Sequence, residues 1–177
     1  MSTVSSVGIP NQSLHNVFVY GSLLADDVVQ VLLKRVPPAA PATLSNHHRF
    51  SIKGRVYPAI LPVEDKKVTG RVLQGISDLE LFILDEFEDV EYERRDVDVY
   101  LKDNSEKLKA HAYIWSNRSD PNLYGDWDFE EWKGTFMNEF IKMTEEFIKE
   151  LEFLEPKRRI ETYESVFKQD NDKPLES

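Results

Sequence analysis

The sequence predicts an α+β fold with a mixed, mostly antiparallel sheet. Segments with strand or helix periodicity follow in the order β-α-β-β-β-α-β-β-α, so strands succeed one another more often than they alternate with helices. Hydrophobic residues make up 41% of the chain and charged residues 31%, which is ordinary for a protein with a packed core. The length of 177 residues is that of a single domain.

The first predicted strand and helix are separated by a glycine. Asn16–Tyr20 is a short β-branched and aromatic run, which is typical of a buried strand, and Gly21 interrupts it. A helix is predicted at about Asp26–Arg35, because apolar residues repeat there at i and i+4 and form one face. Pro37 cannot continue a helix and is expected to end it.

Three segments after this helix are predicted to be extended. Ala42–Ile52 has apolar residues at even positions, which is the pattern of a strand with one buried face. Val56–Pro62 is apolar but contains two prolines, which cannot donate to a ladder, so an edge strand or an extended loop is predicted there. Lys67–Ile76 alternates again and is predicted to be a separate strand.

A second helix and two further strands follow. Ser77–Glu80 has the sequence of a capping box, and the helix it opens is expected to run to about Phe87. Val90–Leu101 is predicted to be a strand whose apolar residues change parity midway, which indicates a bulge or bend near Arg94. Leu108–Trp115 is apolar on both faces, as expected of a central strand.

The last element is predicted to be one long helix from Asp128 to about Glu152. Asp128 with Glu131 three residues later is a helix-start signal. Apolar residues then repeat at spacings of three and four, at Phe129, Trp132, Phe136, Phe140, Met143, Phe147 and Leu151. Such a stripe favours a core face over a cofactor site.

The sequence predicts a flexible N-terminal lead (1–15), one domain (16–155) and a polar C-terminal tail (156–177). The lead has no basic start followed by an apolar segment, so we expect no secretory signal and a cytoplasmic protein. No apolar run approaches the roughly 20 residues of a membrane span, so no membrane partner is expected.

Composition excludes several classes of function. The formal net charge is −10 and dense basic runs are short, whereas proteins that bind DNA or RNA need a basic face, so no nucleic-acid partner is expected. The chain has no cysteine, which excludes disulfides, a thiolate nucleophile and a cysteine zinc site. The four histidines do not have zinc-ligand spacing, so we expect no metal. The sequence does not exclude a catalytic triad of Ser22 with a histidine and an aspartate, although no motif supports one.

Two segments are candidates for the chemistry. The first is Val17–Leu23, a strand that ends at a glycine and enters a helix. Backbone N–H groups at such a junction can hold a carboxylate or a developing oxyanion, and Gly21 permits close approach of a ligand. The alternative interpretation is a tight strand–helix turn with no functional role.

The second segment is the acidic end of the second helix, Leu84–Val97. Glu88 lies four residues after Leu84, so both are expected on the inward face where the helix ends. A partly buried carboxylate has a raised pKa, as a general acid or base requires. The alternative is a solvated acidic helix end, although acids at a helix C-terminus oppose its dipole.

Together the segments resemble a known family. The motifs VFVYGSL, YPAI and LDEFE, followed by Tyr-x-Arg and Val-x-Val, are similar to those of the γ-glutamylcyclotransferase superfamily, in particular its plant avirulence-induced-gene branch and the γ-glutamylamine cyclotransferases. The resemblance covers about residues 15–115. It implies a small mixed, mostly antiparallel β-barrel with flanking helices.

The resemblance also implies a reaction. The α-amine of a γ-glutamyl group attacks its own γ-carbonyl, 5-oxoproline forms, and the attached amine or amino acid leaves without metal or cofactor. It implies Glu88 as the proton-transfer group and a small-molecule γ-glutamyl substrate, which the family binds at positions matching Val17, Phe18, Val19, Tyr20, Gly21, Ser22, Leu23 and Tyr92. Arg94 and Arg95 are expected to help form the pocket wall, and the protein is expected to be a monomer.

Two positions depart from the family pattern. Many members have Gly after the LDxxE motif where this chain has Asp89, and glycyl relatives have Asn where this chain has Leu23. Both positions are expected beside the site, so the choice of γ-glutamyl compound stays open.

The departures motivate an alternative, a non-catalytic γ-glutamyl-ligand binding or regulatory protein of plant defence. A third hypothesis is an interaction protein that acts through its acidic tail.

Overall fold

Five strands form a closed mixed β-barrel in the computed structural model, which describes residues 13–153. The strands are β1 (His15–Val19), β2 (Ala39–Ile52), β3 (Ala59–Ile76), β4 (Tyr92–Leu101) and β5 (Lys107–Trp115). They follow the order β3-β1-β5-β4-β2, and pairing of β2 with β3 closes the barrel. β1 and β5 are parallel, and the other pairs are antiparallel. The α+β class and the barrel implied by the resemblance are confirmed.

Four helices flank the barrel, α1 (Asp26–Leu33), α2 (Asp78–Glu88), α3 (Phe129–Thr135) and α4 (Met137–Phe153). One-turn 3-10 helices cover Ser22–Leu24 and Asp89–Glu91, and a short strand β6 (Leu123–Tyr124) pairs with the end of β2. None of the helices within residues 13–153 is long and apolar enough to cross a bilayer. Most of the predicted N-terminal lead (1–15) and all of the predicted tail (156–177) lie outside the described residues.

The predicted capping box at the start of α2 is confirmed. The Ser77 hydroxyl accepts the N–H of Glu80 at 3.1 Å, and a Glu80 carboxylate oxygen accepts the N–H of Ser77 at 3.0 Å. Arg35 then donates to both Glu80 carboxylate oxygens at 2.7 and 2.8 Å. These contacts fix where α2 begins and therefore where its last residue, Glu88, is placed.

The predicted long C-terminal helix is divided into α3 and α4 at Phe136. Asp128 caps α3 by accepting the N–H of Glu131 at 2.8 Å, as the start signal indicates. Phe136 has φ −117° and ψ −10°, and the preceding turn contains Gly134, a weak helix former. The division interrupts the apolar stripe, so that Phe136 and Met143 are 37% and 47% exposed instead of buried.

The interpretation of Val56–Pro62 and Lys67–Ile76 as separate elements is wrong. Ala59–Pro62 and Lys67–Ile76 both belong to the single strand β3, with extra residues between Pro62 and Lys67 where the register with β2 shifts, and Val56–Pro58 precede the strand. Pro62 is tolerated because β1 pairs with β3 only over Arg71–Ile76, so Pro62 needs no partner on that side.

The predicted bulge near Arg94 is also wrong. β4 pairs with β5 in a regular register from Tyr92 opposite Trp115 to Tyr100 opposite Lys107. Val90, which produced the apparent change of parity, precedes the strand in a 3-10 turn and is 83% exposed.

The alternation of β1 supplies two apolar cores. Phe18 and Tyr20 point into the barrel, where Ile60, Val72 and Ile114 are buried. Val17 and Val19 point to the other face, which the helices cover with a buried cluster that includes Leu32, Leu84, Trp132 and Phe140. Because both faces of β1 are buried, the position of the turn that follows it is fixed by packing on both sides.

Candidate functional site

A cavity of about 260 Å³ opens where the end of β1 meets the end of α2. Its inner wall is formed by Phe18–Leu23, and its other walls are formed by α2, the residues after it, the barrel and α4. The residues of these other walls are Tyr57, Pro58, Phe87, Glu88, Asp89, Glu91, Tyr92, Tyr113, Phe140 and Met143.

The cavity brings together the two candidate segments, which are separated by more than 60 residues in the sequence. Glu88, Tyr92 and the segment Phe18–Leu23 all line it. Val17 does not, because its side chain is fully buried in the core between β1 and the helices. The roles that the resemblance implies for these residues stay predictions.

Gly21 is required by a close contact with Pro58. A Cβ atom at Gly21 would lie 2.9 Å from two carbons of the Pro58 ring, and a proline ring cannot rotate away. The glycine that the sequence indicates as a place for ligand approach is thus also a packing contact. It joins the VFVYGSL segment to the YPAI segment.

Two arginines hold the carbonyl side of the turn after β1. Arg49 of β2 donates to the carbonyl of Tyr20 at 2.8 Å, and Arg71 of β3 donates to the carbonyl of Leu23 at 2.9 Å. Arg71 also binds Asp26, the first residue of α1, at 2.7 Å. The backbone carbonyl groups of the turn therefore bind the turn to strands β2 and β3 of the barrel.

The donor side of the same turn is open. Within residues 13–153 the N–H groups of Gly21, Ser22 and Leu23 form no hydrogen bond, and all three residues line the cavity. The Ser22 hydroxyl likewise has no partner in this part of the chain. Unpaired N–H groups beside a cavity can bind a carboxylate or a developing oxyanion.

Two tyrosines of the cavity wall, the buried Tyr20 and the half-buried Tyr92, are held by hydrogen bonds to carbonyls. The Tyr20 hydroxyl donates to the carbonyl of Tyr113 at 2.5 Å, and the Tyr92 hydroxyl donates to the carbonyl of Pro58 at 2.7 Å. Burial raises the pKa of both hydroxyls well above the ordinary value, so both stay neutral at physiological pH.

Glu88 is the last residue of α2, and its carboxyl has no described partner. Leu84, one turn earlier on the same face, is fully buried and holds this face inward. Burial, and secondarily the charge of Asp85, raises the pKa of Glu88 to about 8. A carboxyl with such a pKa can accept and release a proton near neutral pH.

Asp85 is fixed one turn behind Glu88. One Asp85 oxygen accepts the Tyr113 hydroxyl at 2.7 Å, and the other accepts Arg94 at 2.7 Å. Arg94 therefore contacts α2 and does not line the cavity, and Arg95 pairs with Glu93 outside it. The expectation that the arginine pair forms the pocket wall is wrong.

The triad left open for Ser22 is not formed. None of the four histidines, all of which lie in the described part of the chain, lines the cavity. His15 binds Asp78 at 2.7 Å, and His111 binds Asp96 at 2.8 Å on the barrel surface. Residues 13–153 also contain no group of three or more His, Asp or Glu side chains arranged to hold a metal ion.

Sequence reasoning missed several wall residues. Tyr57 and Tyr113 lie in apolar strand patterns that do not indicate which residues face a cavity. The apolar stripe predicted that Met143 lies in the core. Because α3 and α4 are separate helices, Met143 is instead 47% exposed. Phe140 and Met143 show that α4 forms one wall of the cavity.

Asp89 has a backbone conformation that favours glycine. Its φ is +61° and its ψ is −165°, and its carboxylate accepts the N–H of Val90 at 2.8 Å. This is the position at which many members of the family have Gly. The departure therefore places a strained residue at the wall of the cavity.

Substitution of Asp89 by glycine is expected to stabilise the protein by about 1 kcal/mol, because glycine adopts this conformation without strain. Urea denaturation measures the change. Asp89→Ala is the matched control, since it also removes the carboxylate but keeps a Cβ atom. Equal stability of the two variants would contradict a backbone origin of the strain.

The raised pKa of Glu88 predicts a stability that depends on pH. Between about pH 4.5 and pH 8 the unfolded chain ionises this carboxyl while the folded chain keeps it protonated, so stability falls as pH rises. Glu88→Gln does not titrate. It should match the wild type near pH 4.5 and be more stable at pH 9 by on the order of 2–4 kcal/mol. Urea denaturation across pH measures this, and a difference independent of pH would contradict the burial of an unpaired carboxyl.

Comparison with known proteins shows a consistent set of relatives. A family model described as "Gamma-glutamyl cyclotransferase, AIG2-like" matches residues 17–129. AIG2-like protein D of Arabidopsis thaliana is 62% identical over 140 residues, covering 78% of this chain and 92% of that protein. The solution structure of another Arabidopsis thaliana protein has a TM-score of 0.61 and 46% identity, covering 80% of this chain and 93% of that one. A structure named "Gamma-glutamyl cyclotransferase" is similar in fold alone, with a TM-score of 0.53, 19% identity, and coverage of 59% of this chain and 68% of that one.

Proposed function

The chain belongs to the AIG2-like γ-glutamyl cyclotransferase family, and on this premise we propose that it cyclises the γ-glutamyl group of a small γ-glutamyl compound. The products are 5-oxoproline and the free amine or amino acid. One observation carries the proposal: the unpaired carboxyl of Glu88 and the open N–H groups of Gly21, Ser22 and Leu23 line one cavity. That the protein works as a cytoplasmic monomer without metal or cofactor stays a prediction.

The reaction needs little chemistry from the protein because the nucleophile is part of the substrate. The neutral α-amine nitrogen forms a bond to the γ-carbonyl carbon, and negative charge develops on the carbonyl oxygen. Glu88 takes one proton from the attacking nitrogen and delivers one to the leaving nitrogen, whose bond to the carbon then breaks. Protons and electrons balance, so no further reactant is required.

The cavity supplies the three remaining requirements. The open N–H groups of the turn provide donors for a negatively charged oxygen of the substrate. A raised pKa lets Glu88 exchange protons near neutral pH. The walls formed by Phe18, Phe87 and Phe140 exclude water and favour the folded, ring-forming conformation of the substrate.

The direct test is incubation of the purified full chain with a panel of γ-glutamyl amino acids, peptides and amines. Mass spectrometry should detect 5-oxoproline and the released amine in equal amounts. Absence of product from every member of the panel would overturn the proposal. Calorimetric binding without product would instead support the alternative, a non-catalytic γ-glutamyl-ligand binding protein, which the unusual residue Asp89 favours.

A further inference from the structure

Each open N–H group of the turn after β1 belongs to a peptide group whose carbonyl accepts a hydrogen bond. The carbonyls of Gly21 and Ser22 accept N–H groups from the residues that follow them in the turn, at 2.9 and 3.0 Å. The carbonyl of Tyr20 accepts no backbone N–H group within residues 13–153, and the guanidinium of Arg49 donates to it at 2.8 Å. Arg49 therefore supplies from a side chain what the backbone supplies to the other two peptide groups.

The hydrogen bond from Arg49 determines where the N–H of Gly21 points. The peptide group that joins Tyr20 to Gly21 is planar and trans, so its C=O and N–H bonds point in opposite directions. Gly21 lines the cavity and Arg49 does not. Arg49 thus holds the C=O bond away from the cavity, which directs the N–H bond into it, and its own guanidinium does not reach a bound substrate.

The surroundings of Arg49 are unfavourable for a cation. The side chain is half-buried, and its guanidinium contacts the carbonyls of Tyr20 and Thr69 and the ring of Trp127. Its Nε atom is buried without a hydrogen-bond partner, and burial lowers the pKa of Arg49, against the charges of Asp128 and Asp126. A neutral side chain of similar length would fill this space at a lower desolvation cost, so packing alone does not account for the charge.

The charge of Arg49 also acts on the N–H of Gly21 through the peptide group between them. A hydrogen bond from a cation to a carbonyl is stronger than one from a neutral donor, and hydrogen bonds in a chain polarise one another. The N–H of Gly21 therefore becomes a stronger donor. A fixed donor in a cavity that excludes water stabilises developing negative charge more than a donor in water does.

Resting on the proposed function, we propose that Arg49 is a positioning residue for catalysis. It orients and polarises the N–H of Gly21 toward the negatively charged oxygen of the reacting substrate. Arg49 itself contacts neither the substrate nor Glu88, so its effect is transmitted through one peptide group.

Arg71 provides an internal comparison, because it also binds a carbonyl of this turn. It donates to the carbonyl of Leu23 at 2.9 Å, but the N–H of that peptide group belongs to Leu24 and already donates to the carbonyl of Gly21. The charge of Arg71 is also paired with Asp26 at 2.7 Å. Arg71 therefore holds the turn without directing an open N–H group.

Substitution of Arg49 tests the proposal kinetically. Arg49→Met removes the charge and the donors but keeps a side chain of similar length, and kcat/KM with the best γ-glutamyl substrate should fall about thirtyfold. The loss is smaller than removal of a donor because the N–H group remains. Arg49→Lys can still donate to the carbonyl of Tyr20 and should stay within about fivefold of the wild type. Arg95→Met is the control, since Arg95 pairs with Glu93 outside the cavity, and it should keep the wild-type kcat/KM.

Nuclear magnetic resonance of the full chain observes the N–H group directly. The chain has seven glycines, so ¹⁵N-glycine labelling gives few amide signals. Saturation with 5-oxoproline should move the Gly21 amide proton downfield in the wild type, in Arg49→Lys and in Arg71→Met, and less in Arg49→Met. Gly134 is the reference signal, because it lies in α3 and does not line the cavity. A general loosening of the turn would reduce the movement in Arg71→Met as well, so the comparison separates positioning from stability.

Two results would overturn this inference alone. One is a folded Arg49→Met variant with kcat/KM within about threefold of the wild type. The other is a Gly21 amide proton that moves equally in these two proteins or in neither. If Arg49→Met does not fold, Arg49→Gln takes its place with the same expected losses. Absence of turnover in the wild type as well as in every variant would overturn the proposed function and this inference with it.

Discussion

Glu88→Gln is expected to reduce kcat by roughly 10³-fold, within the range that a positioned acid or base contributes. Glutamine keeps the size and polarity of the side chain but cannot take a proton from the attacking nitrogen. Its carboxamide fits the same half-buried position at the end of α2, so the fold should be retained. The measurement is the rate of 5-oxoproline formation with the best γ-glutamyl substrate of the wild-type protein.

Glu86→Gln is the matched control for this substitution. Glu86 lies on the same helix, is exposed and does not line the cavity, so its variant should keep the activity of the wild type. Circular dichroism of both variants should match the wild type. A Glu88→Gln variant within tenfold of wild-type kcat would show that another group moves the proton.

Gly70→Ala is expected to destabilise the protein by about 3 kcal/mol or more. A Cβ atom at Gly70 of β3 would lie 2.2 Å from the backbone carbonyl oxygen of Val19 and 3.0 Å from the ring of Phe18. A backbone carbonyl cannot rotate away as a flexible side chain can. The end of β1 would have to move, and with it the turn that lines the cavity, so activity should also fall.

Gly134→Ala is the control for this substitution. Gly134 lies in α3, no atom lies within 4 Å of its added Cβ, and alanine is the better helix former. This variant should be as stable as the wild type or more stable by about 0.5–1 kcal/mol. Thermal and urea denaturation compare the two variants, and a Gly70→Ala variant as stable as Gly134→Ala would contradict the close approach of β1 to β3.

Local patterns were sufficient for the elements near the site. The capping box fixed the start of α2, and the spacing from Leu84 placed Glu88 on the inward face. The β-branched run before Gly21 correctly indicated a strand that is buried on both faces. These inferences succeed because hydrogen-bonding side chains and periodicity act within a few residues.

The meeting of these segments could not be derived from local patterns. Periodicity shows which residues share a face but not what that face contacts, so the approach of Glu88 to the turn after β1 was expected only from the family resemblance. For the same reason Met143 was placed in the core, although it lines the cavity and is partly exposed. The continuity of β3 was missed because its one proline, Pro62, lies where one side of the strand has no partner.

The walls of the cavity come from distant parts of the chain, from Phe18 near the beginning of the described residues to Met143 in α4. A chain still being synthesised cannot assemble them until α4 has left the ribosome. β1 also pairs with β3 and with the much later β5, so its partners form over long separations, which slows folding. During refolding, catalytic activity should therefore appear only when the whole domain has folded. Truncated chains that end before α4 should be inactive.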